Sequence, residues 1–521
     1  MSKITEVKAR QVLDCKGRPV AEVDVVTESG FLGRAGASTG SSVGANESFV
    51  LRDGDPGVYG GMSVYKAIAN IREVLAPAIL GMDVQDQEAI DRKMIALDGT
   101  RYKTNLGGNA IYAVSVAVAK AAAAENHLPI YRNLADGPIP YLMSPSSNVI
   151  NGGTYYGKTQ AFQEFMILPH GVDTVEESVR MIVETFYHLG DLVQKYNGGK
   201  PAMGNYSGWG APSDDPFEVM DLIARAVDDL GFTGHMAYAL DCASSEYYDE
   251  EKGLYRWRGD YVDRDFIIGQ LAGLAERYPI AFIEDALWEE DFEGFALASR
   301  KVNTVIVGDD FLCTSLDRAE KAVEMGAARG MIFKPNQAGT LTEAIETARY
   351  MMDRGLLVIP SGRAGGTLDS PEKEIAVALG AWDQDRRAAQ WIADQRIQLP
   401  AAGLGGAGGE ADQHYGTANF RTFKTLGRRT GDVKNQTGYS QAGPGQQRPA
   451  GGGGGRDYGG GISGPRGSFH RHLGGRQRIL CPAGQTAGFL GWTQRDEGGG
   501  ERGALYRSGA HRHGRPRPGG H

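Results

Sequence analysis

A chain of 521 residues is too long for a single hydrophobic core, so two domains with additional segments are expected. A formal net charge of -9 argues against broad nucleic-acid binding by the folded part. No run approaches the roughly 20 apolar residues a membrane helix needs, and Cys15, Cys242, Cys313 and Cys481 lack metal spacing, which together suit a reducing cytoplasm.

Residues 1–137 read as an α+β unit. Thr5 to Leu13 and Val20 to Val26 alternate as strands do, and the turn formers of Asp14-Cys15-Lys16-Gly17-Arg18-Pro19 between them predict a hairpin. Helical spacing follows over Ser63 to Leu80, Asp86 to Leu97 and Asn109 to Glu125, the last rich enough in alanine and valine to be buried. The glycine- and serine-rich loop Gly33 to Gly44, which contains Ala37-Ser38-Thr39-Gly40, is either a linker or a lid over a ligand.

Residues 138–382 alternate short apolar runs with helical stretches, the grammar of a TIM-type (β/α)8 barrel of parallel strands, beginning at Val149-Ile150-Asn151-Gly152-Gly153. Four of the runs end in chemistry. Ala237 to Leu240 closes at Asp241, Pro279 to Ile283 at Glu284-Asp285, Val305 to Val307 at Gly308-Asp309-Asp310, and Met331 to Phe333 at Lys334. Ser315 to Gly326, between the last two, carries an apolar helical face. Any one of these could be a strand-end turn or helix cap, but the carboxyl ends of barrel strands share one mouth. Three carboxylates and a lysine there make a divalent-metal site with a base beside it.

The chain resembles the enolase family over residues 1 to about 382. The residues that carry the likeness are Gly36-Ala37-Ser38-Thr39-Gly40, Leu51-Arg52-Asp53-Gly54-Asp55, Leu97-Asp98-Gly99-Thr100, Ile150-Asn151-Gly152-Gly153, Gln163-Glu164-Phe165-Met166-Ile167, Glu284-Asp285, Gly308-Asp309-Asp310 and Lys334 to Glu343. The resemblance implies Mg2+, two ions per active site, and a small phosphorylated three-carbon acid as substrate. Asp241, Glu284 and Asp309 then hold the first ion and Lys334 removes the proton from carbon 2 of 2-phosphoglycerate. Ser38 matches the lid serine at the second ion, Glu164 an acidic partner in the site and Arg363 the phosphate-binding arginine, with Gln163 and Ser361 also counted among substrate contacts. A homodimer or larger assembly is implied as well.

The family pattern breaks in three places. Its acidic Gly-Asp-Glu-Gly-Gly loop is Gly204-Asn205-Tyr206-Ser207-Gly208-Trp209 here, its histidine after Asn-Gly-Gly-Ser is Tyr155, and its Ser-His-Arg-Ser-Gly-Glu-Thr is Ser361-Gly362-Arg363-Ala364-Gly365-Gly366-Thr367. Metal and base are kept while the dehydration acid is lost, which resembles carboxyphosphonoenolpyruvate synthase of phosphinothricin (bialaphos) biosynthesis. That reading is the first expectation, with phosphonoformate or an activated form of it as second substrate. Ordinary phosphopyruvate hydratase of glycolysis is the alternative, and a non-catalytic homologue with an RNA-binding tail is an alternative of another class.

Residues 383–521 lose all periodicity and become rich in glycine and arginine, so they are expected to be disordered or the product of a shifted reading frame. The enolase family closes its barrel with a strand leading to Lys-Thr-Gly and a helix ending near Leu-Leu-Arg-Ile-Glu. Neither is visible after Val377-Ala378-Leu379-Gly380-Ala381. Codons such as TGG-GAC-CAA-GAC-CGG-CGG for Trp382 to Arg387, read one nucleotide later, give Gly-Thr-Lys-Thr-Gly.

Overall fold

The computed structural model describes residues 2–40, 44–137, 145–157, 162–367 and 371–379, all within the unit Met1–Lys434. The expected tail 383–521, the strand and helix sought after residue 381, and Cys481 lie outside the described residues.

Strands β1 (Ile4–Leu13), β2 (Pro19–Thr27) and β3 (Leu32–Gly36) form an antiparallel sheet in that order, and Leu13 faces Pro19 across the predicted hairpin. Its inner face packs on the helix Gly108–Glu125, which is buried along most of its length. That contact is tight: a Cβ at Gly33 would sit 2.0 Å from the carbonyl oxygen of Ala117, so only glycine lets sheet and helix approach. Gly33 therefore belongs to β3 rather than to the expected loop. Asp86 caps the helix Gln87–Asp98 by accepting from Ala89 N, and Gly99 ends it in the left-handed conformation. The helix expected over Ser63 to Leu80 is helical from Tyr65 to Ile79 but passes through a π-helical turn at Ile71–Leu75. Pro77 has no N–H to offer the carbonyl four residues back, and the ladder widens just before it.

The second part of the unit is a barrel of strands and helices. Strands β4 (Ser147–Asn151), β5 (Glu164–Pro169), β6 (Trp209–Gly210) and β7 (Met236–Asp241) come first. The strands β8 (Tyr248–Asp249), β9 (Leu254–Trp257) and β10 (Asp260–Val262) make a small separate sheet. Then follow β11 (Ile280–Glu284), β12 (Val305–Gly308), β13 (Gly330–Phe333) and β14 (Leu357–Pro360). The barrel sheet runs β14-β13-β12-β11-β7-β5-β4-β6. Its strands are not all parallel, as had been expected: β5 is antiparallel to both β4 and β7. A parallel return needs a crossover, usually helical, whereas the described residues between β4 and β5 hold a single turn of 3-10 helix, Gly153–Tyr155.

Inside the barrel Ala237, Ala239, Ala281, Phe282, Val305, Val307, Ile332 and Leu357 pack together, with Met166, Leu168 and Ile359 against them. The alternate residues of the same strands, such as Tyr238, Leu240 and Ile306, join the larger core between strands and helices.

Candidate active site

Successive side chains on a strand point to opposite faces, so the interior set can be continued past each strand end. Met166 and Leu168 place Glu164 on the interior face, Ala237 and Ala239 place Asp241 there, Phe282 places Glu284, Val305 and Val307 place Asp309, and Ile332 places Lys334. The register agrees. Asp241 stands opposite Glu164 on one neighbouring strand and opposite Glu284 on the other. Glu164, Asp241, Glu284 and Asp309 are each 7–8% exposed.

Like charges directly opposite one another, buried, cannot all remain ionised without a counter-charge. Burial, then the charges of Asp241 and Asp309, hold the Glu164 carboxyl far above the usual range, and burial with its acidic neighbours does the same to Glu284. Asp241 is pushed up to about 6 by burial and by Asp309. Asp309 moves down despite its burial, because Lys334 and Arg363 outweigh it. Lys334 Nζ donates to Asp309 Oδ2, and although burial works against its charge, Asp309 and Glu284 carry its pKa above the ordinary lysine value. Without a bound cation the expected base is thus the carboxylates' own counter-ion.

Hard, mutually repelling carboxylates of this kind fit magnesium. The described acidic oxygens that lie within 4.8 Å of one another as a set of three belong to Asp285, Asp309 and Asp310, a different trio from the one expected. Asp285 has another task, however: its Oδ1 accepts from Asp309 N and its Oδ2 from Asp310 N, each at 2.8 Å. It holds this brace at φ 43, a left-handed conformation that costs a non-glycine residue about 1–3 kcal/mol. A ligand role for Asp285 would have to displace those amides.

Around this centre Gln163 Nε2 donates to Asp241 Oδ2 at 3.1 Å and orients that carboxylate. Asn151, at the end of β4, accepts from Tyr206 N (3.2 Å) and Gly208 N (3.0 Å), which draws the loop of Tyr206 over the mouth. The Tyr206 ring lies 6.1 Å from that of Tyr155. Burial and the charge of Glu164 raise the Tyr206 pKa, so its phenol is a protonated donor at neutral pH. The Ser38 hydroxyl donates to Glu372 Oε1 at 3.0 Å, and Ser361 Oγ to the carbonyl of Gly362 at 3.2 Å. Arg363 is engaged by Glu47 in a buried ion pair. A Cβ at Gly362 would meet no described residue within 4 Å.

The hairpin turn after β1 touches three of these loops. Arg18 donates to the carbonyls of Gly40 (2.9 Å) and Thr39 (3.0 Å), Cys15 N to that of Gly366 (3.2 Å), and Lys16 Nζ to Asn205 Oδ1 (3.0 Å). Thr39 and Gly365 are bridged in turn, so the described part of the serine-bearing loop is tied to the barrel. Sequence reasoning did not single out Glu47, Gln337 or Glu372. Gln337 stood inside a quoted motif, whereas nothing local marked the other two.

A family model described as the enolase N-terminal domain matches residues 4–134, and one described as the enolase C-terminal TIM barrel domain matches residues 140–390. The chain is 44% identical over 385 residues to the enolase of Methanopyrus kandleri, covering 73% of this chain and 90% of that protein. It is 41% identical over 380 residues to an enolase of Methanococcus maripaludis (73% and 89%) and 42% identical over 385 residues to that of Thermococcus kodakarensis (73% and 89%). These likenesses correct the first functional expectation. Relatives at this identity, matched over nine-tenths of their length, are enolases, so the alternative of ordinary phosphopyruvate hydratase displaces the carboxyphosphonoenolpyruvate synthase reading. Tyr155 and Tyr206 lie beside one another, and the strand-end carboxylates stand together with Lys334.

Proposed function

Since the chain belongs to the enolase family, whose members are magnesium-using lyases, we propose that it removes water from 2-phosphoglycerate to give phosphoenolpyruvate. The observation that carries this reading is the matched register of Glu164, Asp241 and Glu284, with Lys334 in contact with Asp309 beside them.

In this reading Asp241, Glu284 and Asp309 would hold the first Mg2+, and Ser38 would contribute to a second. Bound there, the ions would supply positive charge that offsets the negative charge left on the substrate by proton loss. With Asp309 engaged by an ion, the nearby positive charge would disfavour the Lys334 ammonium, and the neutral Nζ then takes the proton from carbon 2, while Gln163 keeps Asp241 oriented. Arg363 binds the phosphate, and Ser361 and Tyr155 line the pocket. Protonation of the departing hydroxide at carbon 3 falls to Glu164, whose carboxyl burial pushes above its ordinary value, with Tyr206 as hydrogen-bond donor. The free thiols Cys15, Cys242 and Cys313 support a cytoplasmic setting. As in the resemblance, a homodimer or larger assembly is proposed.

The test is a magnesium-dependent assay for phosphoenolpyruvate together with deuterium exchange at carbon 2. Exchange and elimination that both require Mg2+ are expected. If neither occurs, the proposed function is wrong.

A further inference from the structure

Glu47 belongs to the N-terminal part of the fold, yet its carboxylate lies against the barrel. Arg363 Nη1 donates to Glu47 Oε2 and Nη2 to Oε1, both at 3.0 Å, with the side chains 3% and 2% exposed. Oε1 also accepts from Gly44 N at 3.1 Å and Gln337 Nε2 at 3.4 Å. Gln337 Nε2 donates in turn to Asp309 Oδ1 at 2.8 Å, and Asp309 Oδ2 receives Lys334. A hydrogen-bonded chain therefore joins Arg363, Glu47, Gln337, Asp309 and Lys334. The segment that carries Glu47 is pinned as well: Ala45 N donates to Glu289 (3.3 Å), Asn46 Nδ2 to Glu290 (2.7 Å) and Ser48 N to the carbonyl of Gln337 (2.8 Å).

We propose that Glu47 is a positioning residue that fixes the guanidinium plane of Arg363 for the substrate phosphate, an inference that rests on the role given to Arg363 above. Two parallel bonds from a carboxylate set both the position and the plane of a guanidinium, whereas one bond leaves it free to swing. An arginine ordered beforehand spares the ligand that ordering cost.

A carboxylate so close to a phosphate also repels it, and the two effects respond oppositely when Glu47 is neutralised. The geometry favours positioning. Four N–H groups from Arg363, Gly44 and Gln337 converge on the Glu47 carboxylate, so it is held in place rather than poised to be displaced by an arriving anion.

The test compares the magnesium-loaded parent with Glu47→Gln, Arg363→Lys and the double variant. Affinity for inorganic phosphate is read by calorimetry, and kcat and KM are read with 2-phosphoglycerate. Glu47→Gln is expected to weaken phosphate binding and raise KM by about tenfold, the effect of one charge-assisted hydrogen bond, while kcat moves by less than about threefold. In the Arg363→Lys background the same change should add less than about twofold. Unchanged or tighter phosphate binding by Glu47→Gln overturns the proposal. A tenfold loss that persists in the Arg363→Lys background also overturns it, as the mark of a general lid defect. If Glu47→Gln does not fold, Glu47→Asp, which keeps the charge but shortens the reach, is held to the same two criteria. The phosphate measurement needs no turnover: a parent that fails to turn over refutes the enolase reading, whereas normal turnover with an unmoved phosphate affinity refutes only the role of Glu47.

Discussion

Replacing Lys334 with alanine should do more than abolish proton abstraction. The Lys334 ammonium and the Asp309 carboxylate are 13% and 11% exposed and in contact, and Glu164, Asp241 and Glu284 crowd the same space. Removing one partner of a buried pair leaves its mate uncompensated, at a cost of about 3–5 kcal/mol. At about 2 °C per kcal/mol for a large domain, the variant without magnesium should melt some 6–10 °C below the parent. The loss should grow from pH 6 to pH 8, because protonation relieves the freed carboxylates at lower pH. Magnesium at about a hundred times its Kd contributes about 2.7 kcal/mol by linkage, and the variant should gain more from it than the parent, whose ammonium must give up Asp309 to the ion. Differential scanning calorimetry in EDTA and in magnesium measures each quantity, and deuterium exchange at carbon 2 measures the chemistry. Melting of Lys334→Ala at the parent's temperature in EDTA, with no larger gain from magnesium, would refute the view that Lys334 serves as the resident counter-ion.

Calorimetry of Asp309→Ala should show the tightest magnesium site lost, and undiminished affinity would move the site to other carboxylates. Asp241 is raised to about 6 in the folded state, so the native protein binds more protons than the unfolded chain between about pH 4 and pH 6. Metal-free stability should accordingly fall as pH rises through that window, while magnesium affinity rises; the opposite slopes would contradict the burial of Asp241 among like charges. Turnover should be lower than an enolase with a carboxylic acid at Tyr206 would give, by about 100- to 10,000-fold, and Tyr206→Glu should recover part of it. A parent rate ordinary for glycolysis would show that Glu164 alone suffices as the acid. We propose that residues from about 382 onward are translated out of frame. Codons CCT-GCT-GCG-GGC for Pro400 to Gly403, read in the same shifted frame that yields Lys-Thr-Gly, give Leu-Leu-Arg, so one shift admits both missing family motifs. Resequencing and intact-mass analysis decide it: a native mass near 55.9 kDa with tail peptides detected would end the proposal.

The strand ends were legible because a buried barrel strand is a short apolar run, and a charged residue closing it is conspicuous. Asp241, Glu284, Asp309 and Lys334 were found in this way, and period-2 alternation then explains why they face one another. Strand direction was not legible. Apolar patterning is the same in either sense, and the reversal of β5 shows only in its pairing with β4 and β7. Pairings across long separations were invisible for a similar reason: Glu47 and Arg363 are 316 residues apart, and neither stands in a pattern that names the other. The metal-free pairing of Lys334 with Asp309 arises only when strands β12 and β13 lie side by side.

The hairpin turn that touches three loops of the mouth also sets a timetable for synthesis. Residues 14–18 leave the ribosome early, yet Cys15 meets Ala364 across a separation of 349 residues. At about 5–20 residues per second the turn waits roughly 20–70 s before its last partner has been made. Until then the first sheet can fold on its own helix, but the catalytic mouth has no rim on that side. Contacts of such long range form late and slowly, so this side of the mouth is closed among the last steps of folding, together with β14.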